Sequence, residues 1–125
     1  MASPVVLVIV DDLFFLAKIQ TTLTHLGLTA QVATQRSALC DVLTAEALPA
    51  LALVDLTLRT ADAVALIQDI KAATPSTPVP ILAFGAHVAV DIRQQALQAG
   101  ADQVVAKSAF AQHLPALIQQ FVGQE

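Results

Sequence analysis

Three aspartates and one lysine stand at the carboxyl ends of short apolar runs. Asp11 and Asp12 close the run Val5 to Val10, Asp55 closes Leu51 to Val54, and Lys107 closes Val104 to Ala106. Only 13% of the residues are charged, so acids placed in this way form a pattern and not a background. Carboxylates gathered in a partly dry cleft repel one another, so either one holds its proton or a cation shares the site. Oxygen ligands alone, with positions left for water and substrate, suit Mg²⁺ better than a soft metal. A lysine ammonium beside them offers a compact charge to a phosphate oxygen. Together these groups make an aspartate a candidate acceptor for a phosphoryl group, with cation and lysine offsetting charge on the transferring oxygens.

What must position them is a parallel sheet. Apolar runs bounded by polar residues read as strands buried on both faces. They alternate with helical patterns at intervals of roughly 25 residues, as a succession of βαβ units requires. Five units are expected. Strands are predicted over Val5 to Val10, Ala30 to Ala33, Leu51 to Val54, Ile81 to Phe84 and Gln103 to Ala106. The first helix is predicted from Leu13 to Leu26, with Leu16, Ile19, Leu23 and Leu26 at helical spacing and Gly27 as its stop. A second follows Thr34 as its cap, with Leu39, Val42 and Leu43 inward. A third spans Asp62 to Ala73 and ends before the prolines of TPSTPVP. A fourth spans Val88 to Ala99, and the last begins near Ala111, because Pro115 is tolerated in a first turn but not in a helix interior. Right-handed crossovers bring the ends of the first, third and fifth strands to one edge, where Asp11, Asp12, Asp55 and Lys107 converge. Ligands of open α/β sheets bind in the crevice outside those ends.

Composition excludes several alternatives. A chain of 125 residues has room for one domain with a real core, so residues 1–125 are read as a single domain. Six Lys plus Arg against ten Asp plus Glu give a net charge of -4, with no basic run to track a phosphate backbone, so nucleic acid is not an expected partner. The apolar start of MASPVVLVIVDD is cut by two acids far short of a membrane span and lacks a positive leading region, so a cytoplasmic location is expected. Cys40, the one cysteine, is read as a buried helix thiol beside Leu39, Val42 and Leu43. His25, His87 and His113 share no metal-ligand spacing with it. A Mg²⁺-dependent hydrolase on the same fold lacks support, because no nearby Ser-His pair, HExxH run or phosphate-cradling glycine loop accompanies the acids. The chain is therefore not read as an enzyme. Taken alone, Asp12 is equally a helix N-cap and Lys107 a solvated surface group. The conjunction of the acid pair, the further Asp and the Lys is what argues for a site.

With these residues in place the chain resembles the receiver domains of bacterial two-component response regulators. The matching segments are VIVDD at Val8 to Asp12, LVDL at Leu53 to Leu56, Asp62, ILAF with Gly85 and Ala86, QAGAD at Gln98 to Asp102, and Lys107. The resemblance implies a flavodoxin-like, doubly wound five-stranded parallel sheet of order 2-1-3-4-5 with five helices. It implies that Asp55 is the phosphoacceptor, that Asp11, Asp12, Asp55 and the main-chain carbonyl of Thr57 hold Mg²⁺, and that Lys107 and the backbone N–H of Ala86 contact the phosphoryl group. It implies as partners a sensor histidine kinase or phosphotransfer protein and a downstream protein or output domain; a low-charge surface with apolar residues adds a second copy of the chain as a possible partner.

The chain departs from the family pattern at its readout. Gly85 stands where a Ser or Thr hydroxyl is usual at the end of strand four, and Val104 where an aromatic residue is usual in strand five. Leu58-Arg59 replaces the usual Met-Pro, and Ala63 a Gly. Lys107-Ser108 replaces Lys-Pro, and since a cis bond without proline costs about 3–4 kcal/mol, trans is expected there. Gly85 offers no side-chain contact that differs between two states, so a phosphoacceptor with a weak or rerouted response is the leading reading and a non-switching pseudo-receiver the alternative. In the family the positions of Thr57 and His87 border the water that attacks the acyl phosphate, which makes both candidates for tuning its lifetime, although His87 is read first as a solvated loop histidine. Val88, Val90, Phe110, Leu114 and Phe121 lie in the region where receivers meet partners.

Overall fold

The computed structural model describes residues 4–43, 48–59, 61–75, 78–85 and 90–122. Its elements run β1 (Val5–Ile9), α1 (Leu13–His25), β2 (Thr29–Val32), α2 (Arg36–Leu43), β3 (Leu51–Asp55), α3 (Ala63–Ala73), β4 (Ile81–Gly85), α4 (Val90–Ala99), β5 (Gln103–Ala106), α5 (Lys107–Gln112) and α6 (Leu114–Val122). All strand pairs are parallel and the sheet order is β2-β1-β3-β4-β5, as the alternating pattern predicts.

Both faces of the sheet are covered, and the pleat decides which residue serves which face. Leu7, Ile9, Ala52, Val54, Ile81, Ala83 and Val104 pack with α2, α3 and α4. Val6, Val8, Val10, Leu51, Leu53, Leu82 and Phe84 pack with α1, α5 and α6. Every residue of β3 and β4 is buried, so these central strands read as continuous apolar runs. Burying each large side chain contributes about 1.5–3 kcal/mol. The register then places the acids: Ile9 lies opposite Val54, and Asp55 lies opposite Phe84. Asp11 and Asp12 follow directly from the end of β1, beside the end of β3.

The helix ends follow local chemistry. Asp12 caps α1 and Asp62 caps α3, each carboxylate accepting from two backbone N–H groups. Gly27, at φ +76°, closes α1: its N–H donates to the Thr24 carbonyl and that of Leu28 to the Leu23 carbonyl. In the QAGAD segment, Asp102 Oδ2 accepts from the N–H of Ile81 at 2.7 Å and thereby ties the start of β5 to the start of β4.

Two expectations need correction. The last helix does not begin near Ala111: α5 starts at Lys107, stops at His113, and gives way to α6 with Pro115 in its first turn. A proline at that position cannot donate to the Ala111 carbonyl and would clash with it in a continuous helix, so one expected helix becomes two and the described residues form six helices where five were expected. Cys40 is exposed and not buried. Leu39 takes the inward position on α2, and one residue further along a helix turns the thiol toward solvent. Of the apolar residues in the last two helices, some of which had to be core, Phe110 and Leu114 are buried, whereas Val90 is 67% exposed. Val88 lies outside the described residues. No cis peptide bond occurs among the described residues, so Lys107-Ser108 is trans as expected.

Candidate functional site

Asp11, Asp12, Asp55, Thr57, Arg59 and Lys107 line one cleft of about 610 Å³ at the carboxyl edge of the sheet. Asp55 is its deepest acid, only 2% exposed, because it is the last residue of a strand buried on both faces. Thr57 donates its backbone N–H at 2.8 Å and its hydroxyl at 2.6 Å to Asp55 Oδ1. Oδ2 accepts no hydrogen bond among the described residues. The two oxygens of this carboxylate are thus distinguished, one held twice by Thr57 and one without a hydrogen bond among the described residues.

Asp11 and Asp12 are each turned toward a backbone donor. Asp11 Oδ2 accepts from the N–H of Arg59 at 2.7 Å. Asp12 Oδ1 accepts from the N–H groups of Phe14 at 3.0 Å and Phe15 at 3.2 Å. These bonds, the Phe15 one foremost, hold the Asp12 carboxyl below its ordinary pKa against an opposing effect of burial, with a further contribution from Lys107. Lys107 Nζ stands 3.7 Å from Asp12 Oδ2 and 4.6 Å from the centroid of the Phe15 ring. Its ion pair is with Asp12 and not with Asp55.

The four residues singled out by their position after apolar runs are therefore brought together. Among the described residues no three acidic, imidazole or thiol side chains form a ready metal cluster. Asp12 is engaged by its helix and by Lys107. The donor set is nonetheless all oxygen, and the chemistry of Mg²⁺ asks for only one or two carboxylates with several retained waters. Gly85 ends β4 beside Ala106, and Val104 is buried at 3% exposure, so neither puts a polar side chain into the cleft. Ala86 and His87 lie outside the described residues.

Two participants carried no site signal in the sequence. Arg59 enters the cleft four residues after Asp55, and its contact with Asp11 is made by a backbone N–H, which leaves no compositional mark. Phe15 is three residues after Asp12, hence on the same side of the first turn of α1, and an apolar ring there does not mark itself as part of a charged site.

Similar proteins share this fold. The response regulator of Thermotoga maritima is 21% identical, with 98% of this chain and 99% of that one covered and a TM-score of 0.77. The Vibrio cholerae chemotaxis protein CheY4 is 18% identical over 97% and 100%, with a TM-score of 0.82. A Burkholderia pseudomallei response regulator, solved with a phosphorylated aspartic acid, calcium ion and citrate, is 23% identical over 95% of this chain and 66% of that one, with a TM-score of 0.77. No curated protein matches the chain. The family model of the response regulator receiver domain matches residues 6–119, nearly the whole sheet with its helices, and the chain belongs to that family of two-component signalling modules.

Proposed function

We propose that this receiver domain accepts a phosphoryl group on Asp55 in a two-component phosphorelay. The observation that carries the reading is the asymmetry of Asp55, whose Oδ1 is held by both donors of Thr57 while Oδ2 accepts no hydrogen bond among the described residues, in a residue that lines a cleft shared with two acids and an ammonium. In the transfer, Oδ2 attacks phosphorus in line, a new O–P bond forms, and the donor's P–N or P–O bond breaks with its electron pair leaving on the donor. Asp11, Asp12, Asp55 and the Thr57 carbonyl would hold Mg²⁺, which when bound offsets charge on the transferring oxygens. Lys107 moves from Asp12 to a phosphoryl oxygen, and the N–H of Ala86 is assigned a second oxygen. The Burkholderia pseudomallei relative was solved with a phosphorylated aspartic acid and a calcium ion, a pairing in keeping with a phosphoacceptor that works beside a divalent cation.

The partners that follow are a sensor histidine kinase or phosphotransfer protein as donor and a downstream protein or output domain as receiver of the signal, in the cytoplasm. No helix among the described residues is long and apolar enough to cross a membrane. The domain acts by contact and not as a catalyst of its own. Gly85 and the buried Val104 favour a second reading, a pseudo-receiver that keeps the fold and does not switch. Incubation with Mg²⁺ and acetyl phosphate, followed by mapping of the adduct, separates the two. Modification at Asp55, absent in Asp55→Asn, is the expected result; no adduct at saturation supports the pseudo-receiver.

A further inference from the structure

We propose that the face of the Phe15 ring is the resting seat of the Lys107 ammonium, which makes Phe15 a positioning residue for that lysine, and that the aromatic cluster beneath it registers whether the seat is filled. The ammonium lies 4.6 Å from the ring centroid, within reach of the negative face of the ring's quadrupole, and the lysine side chain is only 29% exposed. Asp12 Oδ2 holds the same ammonium from the side at 3.7 Å. Seat and cap are one turn of helix, since the N–H of Phe15 itself donates to Asp12 Oδ1.

Below the seat, Phe15 meets Phe84 at 5.4 Å and Phe110 at 5.7 Å between ring centroids, both tilted, while Phe84 and Phe110 stack at 4.1 Å with 8° between their planes. Phe84 is the residue before Gly85, and Phe110 lies three residues after Lys107 on the same side of α5. Departure of the ammonium removes the charge over Phe15 and leaves that ring free to resettle against the other two. A path from the cleft to β4 and α5 therefore exists that needs no hydroxyl at position 85 and no aromatic residue at position 104. The last step, in which a phosphoryl group draws the lysine away, rests on the phosphoacceptor reading; the seat itself does not.

Nuclear magnetic resonance of the whole chain tests both. In the free protein the ε-methylene protons of Lys107 are expected upfield of those of Lys18 and Lys71 through the ring current of Phe15. Phe15→Leu returns them to the ordinary position, Phe15→Tyr keeps them upfield, and Lys107→Met moves the ring resonances of Phe15, Phe84 and Phe110. With Mg²⁺ and beryllofluoride the upfield displacement disappears, and Phe15→Leu binds beryllofluoride about two- to fivefold more tightly because the ring no longer competes. Lys107 methylene protons at the ordinary position in the free protein, aromatic resonances indifferent to Lys107→Met, or unchanged beryllofluoride affinity in Phe15→Leu would each overturn the proposal. If the leucine variant does not fold, Phe15→Tyr and Lys107→Met still decide. Failure of the unsubstituted protein to take beryllofluoride at Asp55 sinks the phosphoacceptor reading instead, and the seat then stands or falls on the spectra of the free protein.

Discussion

Thr57 donates twice to the same oxygen of Asp55, from its backbone N–H and from its hydroxyl. Hydrogen bonds to a carboxylate are roughly twice as strong as those to a neutral acceptor, so the hydroxyl favours free Asp55 over its acyl phosphate, in which Oδ1 is a neutral carbonyl.

Thr57→Val is therefore expected to lengthen the life of phosphorylated Asp55, by about fivefold to tenfold for a difference of about 1 kcal/mol between the two bonds. Thr57→Ser retains the hydroxyl and the original lifetime. Decay of the labelled phosphoprotein after removal of the donor measures both, and a valine variant that decays at the original rate counts against the argument.

Arg59 contributes a backbone N–H that a proline could not. Its donation to Asp11 commits one carboxylate oxygen, and its guanidinium lends positive charge to a cleft meant for a cation. Arg59→Ala is expected to bind Mg²⁺ about threefold to tenfold more tightly at low salt, with the gain shrinking as ionic strength rises. Arg59→Pro, which also removes the N–H donated to Asp11 Oδ2, is expected to gain at least as much. Titrations at two salt concentrations read both effects, and a weaker affinity in either variant contradicts them.

Asp12 ties stability to pH. Its carboxyl sits below the ordinary value in the folded chain, so the unfolded state binds the proton more readily. The stability this contributes is fully present above the unfolded value near 3.8 and is lost as pH falls through the lower folded value. Asp12→Asn retains a capping oxygen but no charge, so its unfolding midpoint is expected to lie below that of the unsubstituted chain at neutral pH. The two converge under acid conditions. Parallel midpoints across that range would remove the charge from the account.

Gly100 adopts φ +128°, and a Cβ there would press into the stem of Lys71, whose ammonium donates to the Val79 carbonyl at 3.0 Å. Gly100→Ala is expected to cost about 1–3 kcal/mol of folding stability through backbone strain and displacement of that stem. Denaturant unfolding measures it. Because Asp102 ties β5 to β4 nearby, the loss is expected to loosen those two strands first in hydrogen exchange.

The contrast between Asp55 and Arg59 shows what a sequence discloses. Asp55 was legible because a strand buried on both faces is apolar along its length, and a charge at its carboxyl end marks the edge of the sheet where a cleft can form. Arg59 was not, since any residue other than proline supplies a backbone N–H. Asp12 was legible as a cap or as a site residue, and it is both in position: its carboxylate closes α1 while lining the cleft. The strands needed only periodicity. The break at His113 needed knowledge that the chain would enter a helix directly at Lys107, and no capping residue announces that start, for Ala106 has no side chain to give. Cys40 and Phe15 both depended on the rotation of a helix about its axis, which short apolar patterns define only to within a residue.

The absence of any loop between β5 and α5 sets the mechanics of Lys107. A lysine on a loop could be carried to its target by backbone rearrangement; this one is bolted to a helix that begins at its own Cα. Its travel is limited to the four torsions of its stem, a motion of picoseconds to nanoseconds, unless α5 moves as a lever on the slower scale of whole elements. A slow response to phosphorylation in this chain would therefore report on displacement of the lever, and a fast one on the stem alone.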